Sequence, residues 1–260
     1  MSRFLKKLNI LQQAAETARL RRWPRFTTTE TNLLSKRIQI VDSTSFLFMY
    51  NEIFDKEIYK FAADSATPTI LDCGSNIGLS IIYFKKLYPA SIITGFEPAP
   101  DVFPVLQHNI KTYGFSNVKL IQKAISDRED SVSFWEEGAD GGRIVTEAAQ
   151  TKKVMSVQAT RLKNHLDKPV DLLKIDIEGE ETAVLQDCHD RLRQVKNLFV
   201  EYHSFIHQKQ TLHRILEILS ESGFRYYIHH VGVFSKQPFF KIESCSDMDL
   251  QLNIYACKKQ

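Results

Sequence analysis

The chain of 260 residues is predicted to fold as an α/β protein built on a doubly wound sheet. From residue 68 onward, apolar stretches of strand length alternate with stretches of helical periodicity. The first apolar stretch, 69–73, leads into a turn with Gly74 and Gly78 and then a helix, the arrangement with which open α/β sheets bind nucleotides. A hydrophobic content of 43% is enough for one large core.

Residues 1–67 precede this alternation and are predicted to form a mainly helical extension or cap, interrupted at Pro24 and at the threonines 27–29. Apolar residues recur at helical spacing over 45–62, so this segment is expected to cover part of the core or of the site. The segment 1–25 is strongly basic. A solvated helix packed on the main domain is the favoured interpretation, and contact with an anionic membrane surface or an acidic substrate is the alternative.

Residues 68–260 form the predicted main domain. Its strands are predicted at 69–73, 91–97, 118–125, 171–177, 197–203, 225–231 and 251–257, and its helices near 78–88, 101–113, 180–193 and 208–222. The segment 131–160 interrupts the alternation. It is predicted to be an inserted hairpin or flap near the ligand, with strands at 131–135 and 154–157 around a loop that contains Gly138, Gly141 and Gly142.

Charge and composition argue against several classes of function. A net charge of +3 is too small to indicate a nucleic-acid-binding protein. No apolar run approaches the roughly 20 residues of a membrane span, and the N-terminus has no signal-peptide pattern. The scattered cysteines at 73, 188, 245 and 257 are typical of reduced thiols, so a cytoplasmic protein is expected.

Three successive strand ends are predicted to form one nucleoside-shaped slot. The glycine turn lacks the G-x-G-x-x-G spacing of dinucleotide folds, which argues against NAD or FAD. Glu97 stands about 20 residues past the turn, where an acid hydrogen-bonds ribose. The third strand end suits an adenine edge, although Asp127 beside it is more typical of a turn. The predicted cofactor contacts are Asp72, Gly74, Ser75, Asn76, Gly78, Ser80, Glu97, Pro98, Ala124 and Ile125.

A second cluster of polar residues follows the next two strands. Strand alternation places Lys174, Asp176 and Glu178 on one face of the fourth strand, and it likewise places Glu201 and His203 together on the fifth. If these strands are neighbours, five ionisable groups converge beside the slot. The structural alternatives are an internal ion pair between Lys174 and Asp176, and a helix-start role for Glu178.

These motifs resemble the FkbM family of S-adenosylmethionine-dependent methyltransferases. The resemblance is carried by DCGSNIG at 72–78, EP at 97–98, LLKIDIEGE at 172–180, EYH at 201–203 and GG at 141–142. It extends over roughly 45–257 and leaves out the first 40 residues. It implies S-adenosylmethionine as cofactor, a Rossmann-like class I methyltransferase fold with a seven-stranded, mostly parallel sheet and an antiparallel last strand, and O-methylation of hydroxyls on sugars or polyketide-type natural products.

Methyl transfer to an alcohol requires a group that removes the hydroxyl proton. Asp176 and His203 are the leading candidates for this base, and the predicted catalytic set also contains Lys174, Glu178 and Glu201. A Mg²⁺ or Mn²⁺ ion on Asp176, Glu178, Glu201 and His203 is an alternative that the spacing does not favour, so no metal site is predicted. The remaining candidates for ligands, His207, His213, His229 and His230, are interpreted as surface or core residues.

Three other functions fit the sequence less well than a methyltransferase. The glycine spacing and the lack of a separate substrate domain argue against a nicotinamide-dependent oxidoreductase. The acids and histidine at the strand ends argue mildly against a non-catalytic nucleoside-binding protein. A nucleic-acid methyltransferase is not favoured, because D-I-E-G stands after the fourth strand instead of an N-P-P-Y-like segment. The predicted partner is therefore a small-molecule or glycan acceptor, and no oligomeric state is predicted.

Overall fold

The computed structural model of the protein describes residues 3–135, 142–144 and 154–258, with side chains from residue 10 onward. Within these ranges the α-helices are α1 (Arg3–Arg21), α2 (Ser43–Tyr50), α3 (Leu79–Leu87), α4 (Phe103–Tyr113), α5 (Glu181–Asp187) and α6 (Leu212–Glu221). A π-helical turn follows α2 at Asn51–Asp55, and 3₁₀ turns occur at Leu162–His165 and His189–Gln194.

The strands of the same ranges belong to three sheets. In chain order they are β1 (Thr29–Thr31), β2 (Ile38–Ile40), β3 (Thr69–Cys73), β4 (Ile92–Phe96), β5 (Val118–Ile121), β6 (Ala124–Ser126), β7 (Ser131–Trp135), β8 (Arg143–Ile144), β9 (Val154–Arg161), β10 (Val170–Ile175), β11 (Val195–Phe205), β12 (Arg225–Val231) and β13 (Met248–Cys257).

The central sheet has seven strands in the order β12-β13-β11-β10-β3-β4-β5. Strand β13 runs antiparallel to both of its neighbours, whereas the pairs from β11 through β5 are parallel. This confirms the expected α/β fold with an antiparallel last strand. It also places the carboxyl ends of β3, β4, β10 and β11 at one edge of the sheet, where a ligand can contact all of them.

Helices cover both faces of the sheet, as its apolar strands require. One core lies between the sheet and α3 and α4, and it includes Phe46 and Ile53 from the N-terminal segment. The other core lies under α5 and α6, with Leu185 and Leu219 fully buried. The prediction that 45–62 covers part of the core is therefore confirmed.

The third predicted strand, 118–125, is wrong in its length. It divides into β5, which ends the central sheet, and β6, which pairs with β9 in a four-stranded sheet of order β6-β9-β7-β8. The physical reason is a tight turn in which the Lys123 N–H donates to the Ile121 carbonyl at 3.0 Å. The predicted flap strands appear as β7 and the start of β9, whereas Gly138 and Gly141 lie outside the described residues.

The N-terminal segment contains a small hairpin, β1–β2, that the sequence did not predict. Strands of three residues are too short to show an alternating pattern. Asp42 anchors the chain after this hairpin, since its side chain caps α2 through the Ser45 N–H and pairs with Arg25 at 2.9 Å. The helices of the described ranges include none that is both long enough and apolar enough to cross a bilayer.

Candidate active site

A deep cleft opens at the edge where the parallel strands end. It encloses about 1280 Å³, counting space that is open to solvent. Its floor consists of the turns after β3, β4 and β10, one wall comes from α2 and the π-helical turn, and another comes from the flap. The N-terminal segment and the flap thus contribute to the site, through residues that include Phe48, Glu52, Ile53, Phe134, Gly142 and Ile144.

Asp72 lies behind the turn that follows β3. Its buried carboxylate accepts hydrogen bonds from the hydroxyls of Ser75 at 2.9 Å and Ser80 at 2.6 Å, and it lies 3.3 Å from the Lys174 ammonium. The described residues that line the cleft include both serines but not Asp72. Its carboxylate fixes the shape of the turn, and the cofactor contact predicted for Asp72 stays a prediction.

The two glycines of this turn are needed for packing inside the protein. A Cβ on Gly74, which has φ +85°, would lie 1.8 Å from the Asp176 carbonyl oxygen. A Cβ on Gly78, with φ +93°, would lie 2.8 Å from Leu106 on α4. The sequence assigned both glycines to close ligand approach. Gly78 packs against α4, whereas Gly74 allows the β3 and β10 turns to touch and also lines the cleft, so close ligand approach at Gly74 stays a prediction.

Glu97 stands on the cleft wall after β4. Its carboxylate accepts one hydrogen bond from the Asn76 N–H and one from the Ala99 N–H, each at 2.9 Å. Burial raises the pKa of Glu97 to about 7, although these two N–H groups oppose the shift. Each carboxylate oxygen has a second lone pair, so Glu97 can still accept hydroxyl groups from a ligand. Of the other predicted contacts, Pro98, Ala124 and Ile125 line the same cleft.

Lys174 connects the two groups of strand ends. Its side chain is 2% exposed, and its ammonium donates to the Gly74 carbonyl at 2.7 Å and lies 3.2 Å from Asp176. Burial favours a lower pKa, but Asp176, Tyr59 and Asp72 hold the pKa of Lys174 well above its ordinary value. A buried ammonium with these partners supports the ion-pair interpretation, and because Lys174 also lines the cleft, its contact with a substrate stays a prediction.

His203 is enclosed by three carboxylates. Its side chain is 1% exposed, Nδ1 lies 2.9 Å from Glu181, and Nε2 lies 3.6 Å from Glu178 and 3.8 Å from Glu201. Burial favours a lower pKa, but Glu178 and Glu181 outweigh it and hold the pKa of His203 well above the usual range. An imidazolium has no free lone pair. A protonated His203 would favour Asp176 of the two predicted bases, and which of them acts as the base stays a prediction.

Glu181 is the member of this cluster that the sequence did not identify. It opens α5, where an acid is expected for helix-dipole reasons alone, and so it carried no functional signal. In the structure it is buried and holds His203 in place.

The three other acids of the cluster face the cleft. Asp176, Glu178 and Glu201 all line it, with side chains 25%, 18% and 13% exposed. Burial is the main cause that raises the pKa of Glu178 to about 8 and that of Glu201 to about 7. The convergence predicted from strand alternation is therefore present, and Asp176 is the most accessible carboxylate at this end of the cleft.

The flap is attached to the same region through stacked side chains. The Arg143 guanidinium lies 5.1 Å from the centre of the Trp135 ring and 4.0 Å from the centre of the Phe205 ring. Phe205 ends β11, two residues after His203. The histidines at 207, 213, 229 and 230 are exposed, in agreement with their interpretation as residues outside the site.

Comparison with known proteins identifies a family for most of this region. The family profile described as "Methyltransferase FkbM domain" matches residues 72–226, which include the β3 turn, the flap and both acid-bearing strand ends.

Individual relatives share about a quarter to a third of their residues with the chain. Methyltransferase sdnD of Sordaria araneosa is 30% identical over 190 residues, which covers 59% of this chain and 73% of the relative. The hexuronic acid methyltransferase AglP of Haloferax volcanii is 28% identical over 154 residues, covering 58% of this chain and 61% of the relative.

The fold has a counterpart among solved structures. The crystal structure of M. jannaschii TYW2 in complex with AdoMet matches with a TM-score of 0.51 and 12% identity, covering 90% of this chain and 87% of TYW2. At this level of identity the likeness shows the class I methyltransferase fold and nothing about the substrate.

Proposed function

The chain belongs to the FkbM methyltransferase family, and we propose that it transfers a methyl group from S-adenosylmethionine to a hydroxyl of a sugar, a glycan or a natural product. One observation carries this proposal. A single cleft joins Glu97, which suits a ribose, to the accessible carboxylate of Asp176. A nucleoside cofactor and a proton acceptor would therefore share one enclosed space, as a group-transfer reaction needs.

The residues at the Glu97 end fit a nucleoside without phosphates. Glu97 can accept the two ribose hydroxyls, since its backbone partners leave one lone pair free on each oxygen. Ala124 and Ile125 offer apolar contact for a base, and the turn around Ser75 has little side-chain bulk.

At the other end, we assign the role of base to Asp176. When bound, S-adenosylmethionine supplies a methyl group that is activated by a positively charged sulfur. The acceptor hydroxyl becomes a better nucleophile as its proton moves to a carboxylate oxygen of Asp176. Lys174 holds Asp176 in place at 3.2 Å, and Ile53 and Phe134 contribute apolar wall to the same cleft.

The acceptor class is supported by the chemistry of the cleft and by one relative. The acidic end is lined by carboxylates and amides, which are suitable hydrogen-bond partners for the hydroxyl groups of a sugar. The relative AglP is named as a hexuronic acid methyltransferase, which is consistent with a sugar acceptor.

Calorimetric titration of the purified chain tests the cofactor assignment. S-adenosylmethionine and S-adenosylhomocysteine should each bind with a dissociation constant in the micromolar range. This corresponds to a binding free energy on the order of −8 kcal/mol. NADH should give no heat. Failure of both sulfur compounds to bind would refute the proposal, and binding of NADH would favour the oxidoreductase instead.

A methyl-transfer assay then tests the acceptor. Methyl-labelled S-adenosylmethionine is incubated with a panel of hexoses, hexuronic acids and hydroxylated polyketides, and labelled products are separated by mass. Transfer to a hydroxyl oxygen supports the proposal, and transfer to nitrogen or carbon only would contradict it.

A further inference from the structure

We infer that Asp176, Glu178, Glu201 and His203 form a binding site for one divalent, oxygen-preferring cation such as Mn²⁺. The role of this ion in the reaction rests on the proposed function, because the ion would lie at the acceptor end of the cleft. Its binding can be measured without any acceptor or cofactor.

The spacing of the donor atoms is the first support. One ligand atom from each of Asp176, Glu178 and His203 lies within 4.8 Å of the other two. The Glu201 oxygen adds a fourth donor, 3.8 Å from His203 Nε2. Donors at ~2.1 Å from one ion stand about 3 Å apart when adjacent and about 4.2 Å apart when opposite. Small side-chain rotations would thus bring the first three onto a single ion, while Glu201 lies beside them and accepts a hydrogen bond from Gln251.

The orientation of His203 is an independent second support. Its Nδ1 is fixed by Glu181 at 2.9 Å, and its Nε2 makes no hydrogen bond with any described residue. The nearest carboxylate oxygens, at 3.6 and 3.8 Å, are too far away for one. A charged N–H in this position would ordinarily draw a carboxylate to about 2.8 Å. His203 Nε2 is aimed between two carboxylates, and a carboxylate lies on the other ring nitrogen, as is common for histidine ligands in metal sites.

The donor set determines which cation fits. Three carboxylates and one imidazole form a hard, oxygen-rich set, which suits Mn²⁺ or Mg²⁺, and the imidazole favours Mn²⁺ of the two. The ligands project from the ends of the adjacent strands β10 and β11, so their relative positions are well defined. The bound ion would take the place of the proton on His203.

The position of the three acids on the cleft wall indicates what the ion would do. Asp176, Glu178 and Glu201 line the cleft, so an ion bound to them would have coordination positions open to the acceptor. A hydroxyl oxygen on such an ion loses its proton more readily, and the ion would orient it toward the methyl donor.

The test is titration of Mn²⁺ into the purified chain without cofactor, with unbound Mn²⁺ measured by electron paramagnetic resonance. One equivalent should bind tightly. Both Glu178→Gln and His203→Gln should weaken binding at least tenfold. Glu52→Gln is the matched control, because Glu52 is a cleft carboxylate that pairs with Lys56 outside the cluster, and it should leave binding unchanged. Circular dichroism melts check that each variant is folded, and Glu201→Gln replaces any variant that is not.

Three results would overturn the inference: no stoichiometric binding of Mn²⁺, equal binding by the cluster variants and the wild type, or equal weakening by Glu52→Gln. Calorimetry with S-adenosylmethionine separates this failure from failure of the proposed function. If the chain binds the cofactor but not Mn²⁺, only the inference of a metal site fails. Mn²⁺ binding without cofactor binding keeps the metal site and removes the methyltransferase assignment.

Discussion

The two ends of the cleft differ in the groups that surround their buried ionisable side chains. At the cofactor end, formed by the turns after β3 and β4, the buried acid Glu97 is satisfied by two backbone N–H groups. At the acidic end, formed by the turn after β10, the start of α5 and the last residues of β11, Glu178, Glu181 and Glu201 surround the imidazole of His203. Backbone donors give a fixed binding surface, whereas crowded side-chain charges give a region that readily exchanges a proton or a cation.

Both ends use residues in the left-handed backbone region, but with different results. Asn76, at φ +46°, turns its N–H toward Glu97. Glu178, at φ +58°, is followed by Gly179 at φ +112°, and this turn brings a carboxylate to the cleft. For the two non-glycine residues, strain of this kind is of order 1–3 kcal/mol each, and it persists where function benefits from the geometry.

Asp176→Asn should have the largest effect, and it should affect the acidic end of the cleft without affecting the cofactor end. The amide cannot accept the hydroxyl proton, so turnover should fall on the order of 10²–10⁴-fold. Cofactor affinity should stay within about threefold, since Glu97 and its partners are untouched. Single-turnover kinetics and calorimetry on the same variant measure both quantities. Undiminished turnover would remove Asp176 as the base.

Lys174→Met should instead destabilise both ends of the cleft, because Lys174 pairs with an acid at each of them. It removes the ammonium that lies between Asp72 and Asp176, and it leaves the fully buried Asp72 carboxylate without a cation. Loss of one partner of a buried ion pair costs about 3–5 kcal/mol of unfolding free energy. Denaturant unfolding measures this, with Lys196→Met as control, because Lys196 pairs with the exposed Asp64. An equal change in both variants would show that Lys174 does not link the two ends.

Much of this comparison was predictable from sequence, because it depends on strand periodicity. All seven strands of the central sheet were located, and alternation correctly placed Asp176, Glu178 and Glu201 at the cleft. The rest depends on distances between segments that are far apart in the chain. The sequence could not show that Gly74 packs against Asp176, or that the Glu181 carboxylate reaches His203.

Gly74→Ala should weaken the packing between the turn after β3 and the turn after β10. Its cost in unfolding free energy should be smaller than that of Lys174→Met. Its Cβ would meet the Asp176 carbonyl, so the two turns must move apart, at a cost of about 2–4 kcal/mol including backbone strain. Gly114→Ala is the matched control, since Gly114 also has positive φ, +66°, but nothing lies within 4 Å of the added Cβ. Thermal melts of both variants give the difference, and similar melting temperatures would argue against close packing of the turns.

Glu97→Gln should affect the cofactor end alone, and by the smallest amount. A neutral amide accepts ribose hydroxyls less strongly than a carboxylate, so affinity for S-adenosylmethionine should fall about tenfold, or ~1.4 kcal/mol of binding free energy.

In the wild type, the pKa of Glu97 is raised to about 7, so part of the population is protonated at neutral pH. The ionised form is the better acceptor, so affinity should rise as the pH increases from about 6 to 8 and then level off.

Calorimetry across this pH range, in buffers of different ionisation enthalpy, measures both the affinity and the protons released on binding. Because the amide introduced by Glu97→Gln cannot ionise, the pH dependence and the proton release should both disappear in that variant. If both persist unchanged, the titrating group belongs to the acidic end, and the two ends of the cleft are electrostatically coupled rather than independent. If affinity is unchanged at every pH, Glu97 does not contact the ribose, and the cofactor end must bind its ligand through the backbone of the β3 turn.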